Sequence, residues 1–404
     1  MMGRLKTAKQ AVQDMARKKT QGFLDLPFDR TAQKESVAMA KRVSKRFSNL
    51  IILGIGGSDL GGRMLKETLE DRARQKGVRV QFAGASTDPE DLAQLLKGFN
   101  PKTTAINIVS KSGGTPEPMM AFYFLRDRLI KALASTHAAS HIIATTDGQK
   151  GPLHDLAFEQ GYEMLMIPAN VGGRYSVLSP VGLFPAAVMG IDTNALLSGA
   201  RAAVDAFNES SVSSCNACRY AGLHVLGMEK RRQNIQVTMP YSGRMNEFGR
   251  WVRQLVAESL GKKQTRRGKI VYKGITAMNA VGPEDQHSQL QLWSEGPFDK
   301  LITFLEIRRF NQEVVAPRHL GGGSVTAFTH LARKATAEAL AHEGRPNGTL
   351  MIERLDAHAL GELIVFFELS VALMGELMDV DAYDQPGVEL MKTLLKKELG
   401  VESS

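Results

Sequence analysis

S-K-S-G-G-T, Ser110 to Thr115, joins an apolar run, T-A-I-N-I-V over Thr104–Val109, to a helical pattern opening on Pro116, P-E-P-M-M-A-F-Y-F-L-R-D-R-L-I. Such a mostly apolar run reads as a buried strand, as in a parallel sheet. Proline suits the first helical position, where its missing N–H costs nothing. Strand, short loop and helix in that order form the unit of doubly wound α/β domains. The loop also carries chemistry. A helix N-terminus presents unpaired N–H groups and the positive end of the helix dipole. Gly113 and Gly114 let an anion approach that backbone, Ser110, Ser112 and Thr115 offer hydroxyls, and Lys111 adds a full positive charge. That set suits the phosphate of a small molecule. The G-x-x-x-x-G-K-[ST] order of a nucleotide loop is absent. An ordinary strand-to-helix turn is the plain alternative.

Upstream, N-L-I-I-L-G-I over Asn49–Ile55 is a strand of the same kind, running into G-I-G-G-S-D-L-G-G, Gly54 to Gly62. The dinucleotide fingerprint G-x-G-x-x-G fails here, since Asp59 stands at the third glycine position. A second ligand loop with Ser58 at its tip fits better. Further strands are expected at Arg79–Ala83, His141–Thr145 and Glu163–Ile167, with helices between them. G-G-R-Y-S-V-L-S-P-V-G, Gly172 to Gly182, interrupts the alternation, and helices follow over 194–207 and 214–231. Then the unit recurs: strand Asn234–Met239, loop P-Y-S-G-R, helix Asn246–Leu260. Strands at Lys269–Tyr272, Leu301–Ile307 and Thr349–Arg354, and helices at Gly322–Ala341, Ala357–Asp379 and Gln385–Leu399, complete the pattern. The expected fold is α/β: N-terminal helices over 1–47, broken near Leu26–Pro27, a first αβα domain over 48–192, a second over 193–380, and a C-terminal helical extension over 381–404. With no extended linker, the two domains should pack closely, and clefts between domains are common ligand sites.

The 404 residues carry 51 basic and 42 acidic side chains, a net charge of +9. Residues 1–50 hold twelve basic and four acidic ones, so the excess lies in the N-terminal helices. No reading element or aromatic platform accompanies it, which argues against nucleic acid and for a solvated basic face. No run approaches transmembrane length and residues 1–21 lack a signal-type apolar core, so the expectation is a cytoplasmic protein away from membranes. Cys215 and Cys218, C-N-A-C on an expected helix, are too few for a zinc site and are read as packing residues.

Single residues give weaker signals. Glu258 lies near the end of the helix R-W-V-R-Q-L-V-A-E-S-L-G-K with Gln254 one turn earlier on the same face; alone, such a glutamate is most often solvated. Arg174, beside two glycines, is either a cation held against a ligand or a structural arginine bonding loop carbonyls. His287 sits in a polar loop, G-P-E-D-Q-H-S-Q, and Lys392 on an amphipathic helix.

Taken together and in order, these stretches resemble the phosphoglucose isomerase (glucose-6-phosphate isomerase) family in its compact bacterial form, from about residue 45 to 395. The matching motifs are L-G-I-G-G-S-D-L-G-G at 53–62, V-S-K-S-G-G-T-P-E at 109–117, N-V-G-G-R-Y-S-V-L-S-P-V-G at 170–182, Q-L-V-A-E-S-L-G-K at 254–262, G-P-E-D-Q-H-S at 282–288, G-R-P-N at 344–347 and Y-D-Q-P-G-V-E-L-M-K at 383–392. The resemblance implies two sugar-isomerase (SIS-type) αβα domains and the glucose 6-phosphate to fructose 6-phosphate isomerisation of glycolysis and gluconeogenesis, without metal or cofactor. It implies that Gly57, Ser58, Ser110, Lys111, Ser112 and Thr115 hold the sugar phosphate. Glu258 would be the base, Arg174 would stabilise the enediolate, His287 and Lys392 would assist ring opening, and Gln254 and Gln385 would bond the substrate. It also implies a homodimer with shared sites, His287 reaching into the neighbouring subunit. Two positions depart from the family: Gly114 replaces a frequent threonine, and Leu260 a smaller or polar residue. A sugar-phosphate sensor without catalysis, and an isomerase that also accepts mannose 6-phosphate, are the competing readings.

Overall fold

The computed structural model describes residues 1–70, 77–320 and 322–398. Helices α1 (Met2–Arg17) and α2 (Arg30–Arg46) open the chain, parted by a 3-10 turn at Leu26–Phe28. A parallel sheet follows, made of β1 (Asn49–Leu53), β2 (Arg79–Ala83), β3 (Thr104–Val109), β4 (Ile142–Asp147) and β5 (Glu163–Ile167) in the spatial order β2-β1-β3-β4-β5. Parallel neighbours need crossovers; α3 (Leu60–Leu69), α4 (Pro89–Gly98), α5 (Pro116–Leu133), α6 (Ser135–Ala139) and α7 (Pro152–Gln160) lie between these strands. β3 and β4 are buried at every position, and polar side chains inside them pair across the sheet, Thr145 Oγ1 donating to Asn107 Oδ1 at 2.8 Å.

Each face of this sheet has its own core. Ile51, Leu53, Ile106 and Ile108 cluster with Phe122, Leu125 and Leu129 of α5. Leu50, Ile52, Ala105 and Val109 cluster with Met39 and Val43 of α2 and with Val181 and Phe184 of α8 (Pro180–Val188). The two-residue period of a strand sorts the side chains between the layers, giving the expected αβα sandwich.

Helices α9 (Thr193–Glu209) and α10 (Asn216–Arg231) lead into the second half. There β6 (Ile235–Pro240) is followed by α11 (Asn246–Leu260), a small antiparallel pair β7 (Lys262–Gln264) and β8 (Ile270–Lys273), and then β9 (Thr276–Asn279). Next come α12 (Leu290–Glu295), β10 (Lys300–Arg309), α13 (Val325–His342), β11 (Asn347–Arg354), α14 (Ala357–Met378) and α15 (Glu389–Glu398). The second sheet is parallel with order β11-β10-β6-β9. Numbered along the chain, its strands run fourth-third-first-second, so it repeats the winding of the first sheet. In such sheets the ligand crevice lies beyond the strand carboxyl ends where the order reverses. That point is β1/β3 in the first sheet, between the loops Gly54–Ser58 and Ser110–Thr115.

Three expectations change. The strand read at Lys269–Tyr272 belongs to the small antiparallel pair, and Thr276–Asn279 takes its place in the sheet; an edge strand that is only partly buried carries no apolar run to announce it. The helix read over Gln385–Leu399 begins as a 3-10 turn at Pro386–Val388 and continues as α15; Leu399 and residues 400–404 lie outside the described residues. One run does reach membrane-spanning length: α14 has 22 residues and a mean hydropathy of 1.6 over its most apolar window. Two thirds of that window is buried inside the protein, packed against α1, α9, α10 and α11, so α14 is the central helix of the largest core.

Candidate active site

Loop Gly54–Ser58 leaves β1 at the switch point. At Gly57 a Cβ would lie 2.2 Å from the carbonyl carbon of Gly173, so only glycine allows the two backbones to touch. This contact sets the loop against the 3-10 turn Gly173–Tyr175, which carries Arg174. The Arg174 guanidinium is buried. Its Nε donates to Ser259 Oγ at 2.7 Å, Nη2 to the carbonyls of Ala382 at 2.7 Å and Asp384 at 3.1 Å, and Nη1 to Gln385 Oε1. Tyr175 Oη lies 3.2 Å from the same Ser259 Oγ, and burial pushes this phenol up to about 12, so it stays neutral. A buried guanidinium without partners would be strongly destabilising; here the carbonyl dipoles and a carboxylate compensate it. Arg174 thus bonds loop carbonyls, as the structural reading has it, and its Nη1 also lies beside a carboxylate.

The carboxylate is Glu258, on the last turn of α11. Its Oε2 lies 3.5 Å from Arg174 Nη1, with the glutamate side chain 32% exposed and the arginine side chain 1%. Gln254 Nε2 donates to Glu258 Oε1 at 3.1 Å. The same amide nitrogen would sit 2.8 Å from a Cβ at Gly56, where φ is +59°, so the glycine loop also borders this pair. Lys262 Nζ donates to the Glu258 carbonyl at 2.9 Å and to the Asp384 carbonyl at 2.5 Å, and pairs with Asp384 Oδ1 at 2.8 Å. It thereby satisfies an orphan carbonyl at the helix C-terminus and ties the 382–385 segment to α11. A cleft of about 680 Å³ opens beside Gln254 and Glu258, walled by Arg253, Tyr272, Lys273 and Thr276.

In the second loop, Ser110 Oγ accepts from Gly113 N–H at 3.0 Å and Ser112 Oγ from Gly114 N–H at 3.3 Å. Thr115 is the N-cap of α5 but its hydroxyl makes no cap bond. Lys111 Nζ donates to the carbonyls of Ala169 at 2.7 Å and Val171 at 2.9 Å, just ahead of the Arg174 turn. An ammonium has three protons, so one stays available to an anion. Burial holds the Lys111 ammonium below the usual lysine range, with Asp147 opposing.

The structure thus joins Gly57, Arg174, Gln254, Glu258 and Gln385, and through Lys111 links the Ser110–Thr115 loop to the segment leading into Arg174. Ser58 is half-buried at the end of the 3-10 turn Gly56–Ser58. His287 is exposed, just past the turn Glu284–Gln286. Lys392 is exposed on α15, its Nζ 2.8 Å from Glu389 Oε1. Among the described residues no hydrogen bond or ion pair joins either one to the Arg174–Glu258 group. Ser259, Lys262 and Tyr175 have positions in the site that sequence reasoning did not assign, although all three lie within the quoted motifs.

The family model described as phosphoglucose isomerase matches residues 31–319 and 326–402. The chain is 38% identical over 400 residues to a glucose-6-phosphate isomerase of Carboxydothermus hydrogenoformans, covering 94% of this chain and 85% of that one. It is 36% identical over 387 residues to a glucose-6-phosphate isomerase of Thermus thermophilus, covering 94% and 90%. Among solved structures, a hypothetical protein from Thermus thermophilus superposes with a TM-score of 0.91 at 34% identity, covering 98% of this chain and 94% of that one. A putative phosphosugar isomerase from Bacillus subtilis shares the fold alone, with a TM-score of 0.52 at 12% identity, covering 87% and 95%.

Proposed function

Because the chain belongs to the phosphoglucose isomerase family, we propose that it interconverts glucose 6-phosphate and fructose 6-phosphate, with Glu258 moving the proton and Arg174 stabilising the oxyanion. The observation that carries this reading is the pair itself: a partly exposed carboxylate 3.5 Å from a buried guanidinium. The reaction takes a proton from the carbon beside a carbonyl and returns it to the neighbouring carbon. One carboxylate lying over a planar cis-enediolate can do both steps. Negative charge grows on the former carbonyl oxygen, and a cation already oriented by four hydrogen bonds reorganises little when that happens. Gln254 holds one carboxylate oxygen and leaves the group able to accept a proton through its free lone pairs.

Gly57, Ser58 and the Ser110–Thr115 loop with Lys111 would take the phosphate, whose binding energy positions the reacting end. His287 and Lys392 would open the sugar ring, with Gln385 contacting substrate. His287 would come from the second subunit of a homodimer; its exposure, and its lack of a partner in the Arg174–Glu258 group among the described residues, support that assignment. A cytoplasmic location belongs to the same reading, and two free thiols suit a reducing compartment.

The test is Glu258→Gln. We expect kcat to fall by at least about a hundredfold while KM changes little, since the lost group acts in proton transfer. Near-normal turnover on open-chain sugar would remove Glu258 as the base. A sugar-phosphate sensor needs no such base–cation pair, and wild-type turnover separates the two readings. Parallel assays on mannose 6-phosphate and glucosamine 6-phosphate measure how strictly the second carbon is read.

A further inference from the structure

We propose that Cys215 and Cys218 form a thiol–disulfide exchange pair, reached by small disulfides through the cavity between α9, α10, α14 and the β10–β11 edge of the second sheet. Nothing in the isomerase reading uses these residues, and the proposal stands apart from it. The chain has two cysteines in all, and both are buried free thiols. The sequence pattern puts them inside a helix starting near Ser214, where packing is the natural reading. The structure starts that helix at Asn216 and makes Cys215 its N-cap, with Sγ accepting the Cys218 N–H at 3.3 Å. The first sulfur thus sits over the first turn, at the positive end of the helix dipole and against the backbone of the second cysteine. A disulfide needs Cβ atoms about 3.5–4.5 Å apart, against roughly 5–6 Å for i, i+3 neighbours within a helix. An N-cap residue lies outside helical φ/ψ and has the freedom to close that gap.

Two independent features point the same way. Lys9 of α1 is buried, donates to the Ser210 carbonyl, and lies 5.2 Å from the Phe207 ring centroid. Among the described residues no carboxylate pairs with it, so its charge falls on the cysteine neighbourhood. Hydrogen bonding to Cys218, aided by Lys9, holds the Cys215 thiol below the usual range, while interaction with Cys215 and burial push Cys218 up. That is the division of labour between an attacking and a resolving thiol. Second, Cys215 lines a cavity of about 1340 Å³ whose walls include Phe207, Leu223 and Phe366. Tyr220 and His224 belong to the same wall, with Tyr220 Oη and His224 Nε2 themselves buried and without a hydrogen-bond partner among the described residues.

The chemistry balances with a low-molecular-weight disulfide as oxidant. The Cys215 thiolate attacks one of its sulfurs, forming a mixed disulfide and releasing one thiolate. Cys218 then gives its proton to that released thiolate and attacks Cys215 Sγ, expelling the second thiolate, which takes up the proton lost earlier by Cys215. The protein is oxidised by two electrons and the disulfide is reduced to two thiols.

The experiment uses the whole native chain and glutathione disulfide, read by intact mass and peptide mapping. The expected product is an intramolecular Cys215–Cys218 bond with loss of two hydrogens. Cys218→Ser should stop at a mixed disulfide on Cys215, and Cys215→Ser should form none at a comparable rate. Lys9→Met should slow the first step by about threefold to tenfold at neutral pH. Alkylation of Cys218→Ser against pH should reach half its plateau below the ordinary thiol value of about 8.5. Thiols that react only after denaturation, or a half-plateau at or above that ordinary value, would overturn the proposal.

Discussion

Ser259 is the residue through which α11 holds Arg174, since its buried hydroxyl takes the Nε–H on one side and meets Tyr175 Oη on the other. Ser259→Ala would leave a charged donor without its partner, at a cost of about 1–3 kcal/mol. We expect kcat to fall roughly tenfold to a hundredfold with a smaller change in KM, and Ser259→Thr to restore part of it. Steady-state kinetics beside a melting curve decide the matter: lost stability with intact kcat would make Ser259 a packing residue only. Glu368 gives a prediction of another kind. It is wholly buried in α14 with both carboxylate oxygens unpartnered, and burial pushes its carboxyl well above the usual range. In the unfolded chain it ionises near about 4.3. Above that pH the unfolded chain has released a proton that the folded protein keeps, so stability falls as pH rises toward the folded value. Glu368→Gln should flatten the fall of Tm between about pH 5 and 8 and be the more stable protein at the upper end. Matching pH profiles for the two proteins would contradict a neutral Glu368.

At the scale of elements, α9 and α14 meet backbone to backbone. A Cβ on Gly199 would lie 1.8 Å from the His358 carbonyl oxygen, and one on Gly361 would lie 1.9 Å from that of Leu196. Gly361→Ala must therefore push the two helices apart and should cost at least about 1–3 kcal/mol. Gly98→Ala, at the end of α4 with nothing within 4 Å of the added atom, is the control and should be close to neutral. Equal melting temperatures for the two variants would mean that the crossing yields easily. These glycines illustrate what a sequence hides: a glycine inside a helical pattern says nothing about which carbonyl it faces. Buried parallel strands are the opposite case. Residues 50–53, and the Ala, Ile and Val positions of Thr104–Val109, are apolar because both faces are covered, and the two strands could be read at once. Thr276–Asn279 is a partly exposed edge and could not.

For the whole molecule, the homodimer reading makes a quantitative prediction. Glu258→Gln chains and His287→Ala chains, each impaired alone, are mixed, dissociated and reassociated. If His287 serves the neighbouring subunit, each mixed dimer holds one intact site and one lacking both residues. Random pairing makes about half the dimers mixed, so about a quarter of all sites should recover. Cyclic substrate at short times gives the contrast, and absence of recovery with mixed dimers confirmed by native mass would place both residues in one subunit. The same scale explains which site residues could be read from sequence. Glu258, Gln254 and Arg174 stand in contiguous motifs whose side chains meet in one chain. The carbonyls of Ala382 and Asp384 that orient Arg174 are main-chain atoms, identical in every residue and silent in any motif.

Those carbonyls also give the chain a direction in time. Arg174 lies well before the midpoint of the polypeptide, yet Ala382, Asp384 and Gln385 hold it. During synthesis the arginine leaves the ribosome long before its last three partners have been joined to the chain. Until they arrive the guanidinium is neither enclosed nor aimed, however well the first sheet has already formed. A nascent chain is thus a scaffold with an unfinished centre until residues 382–385 have joined it.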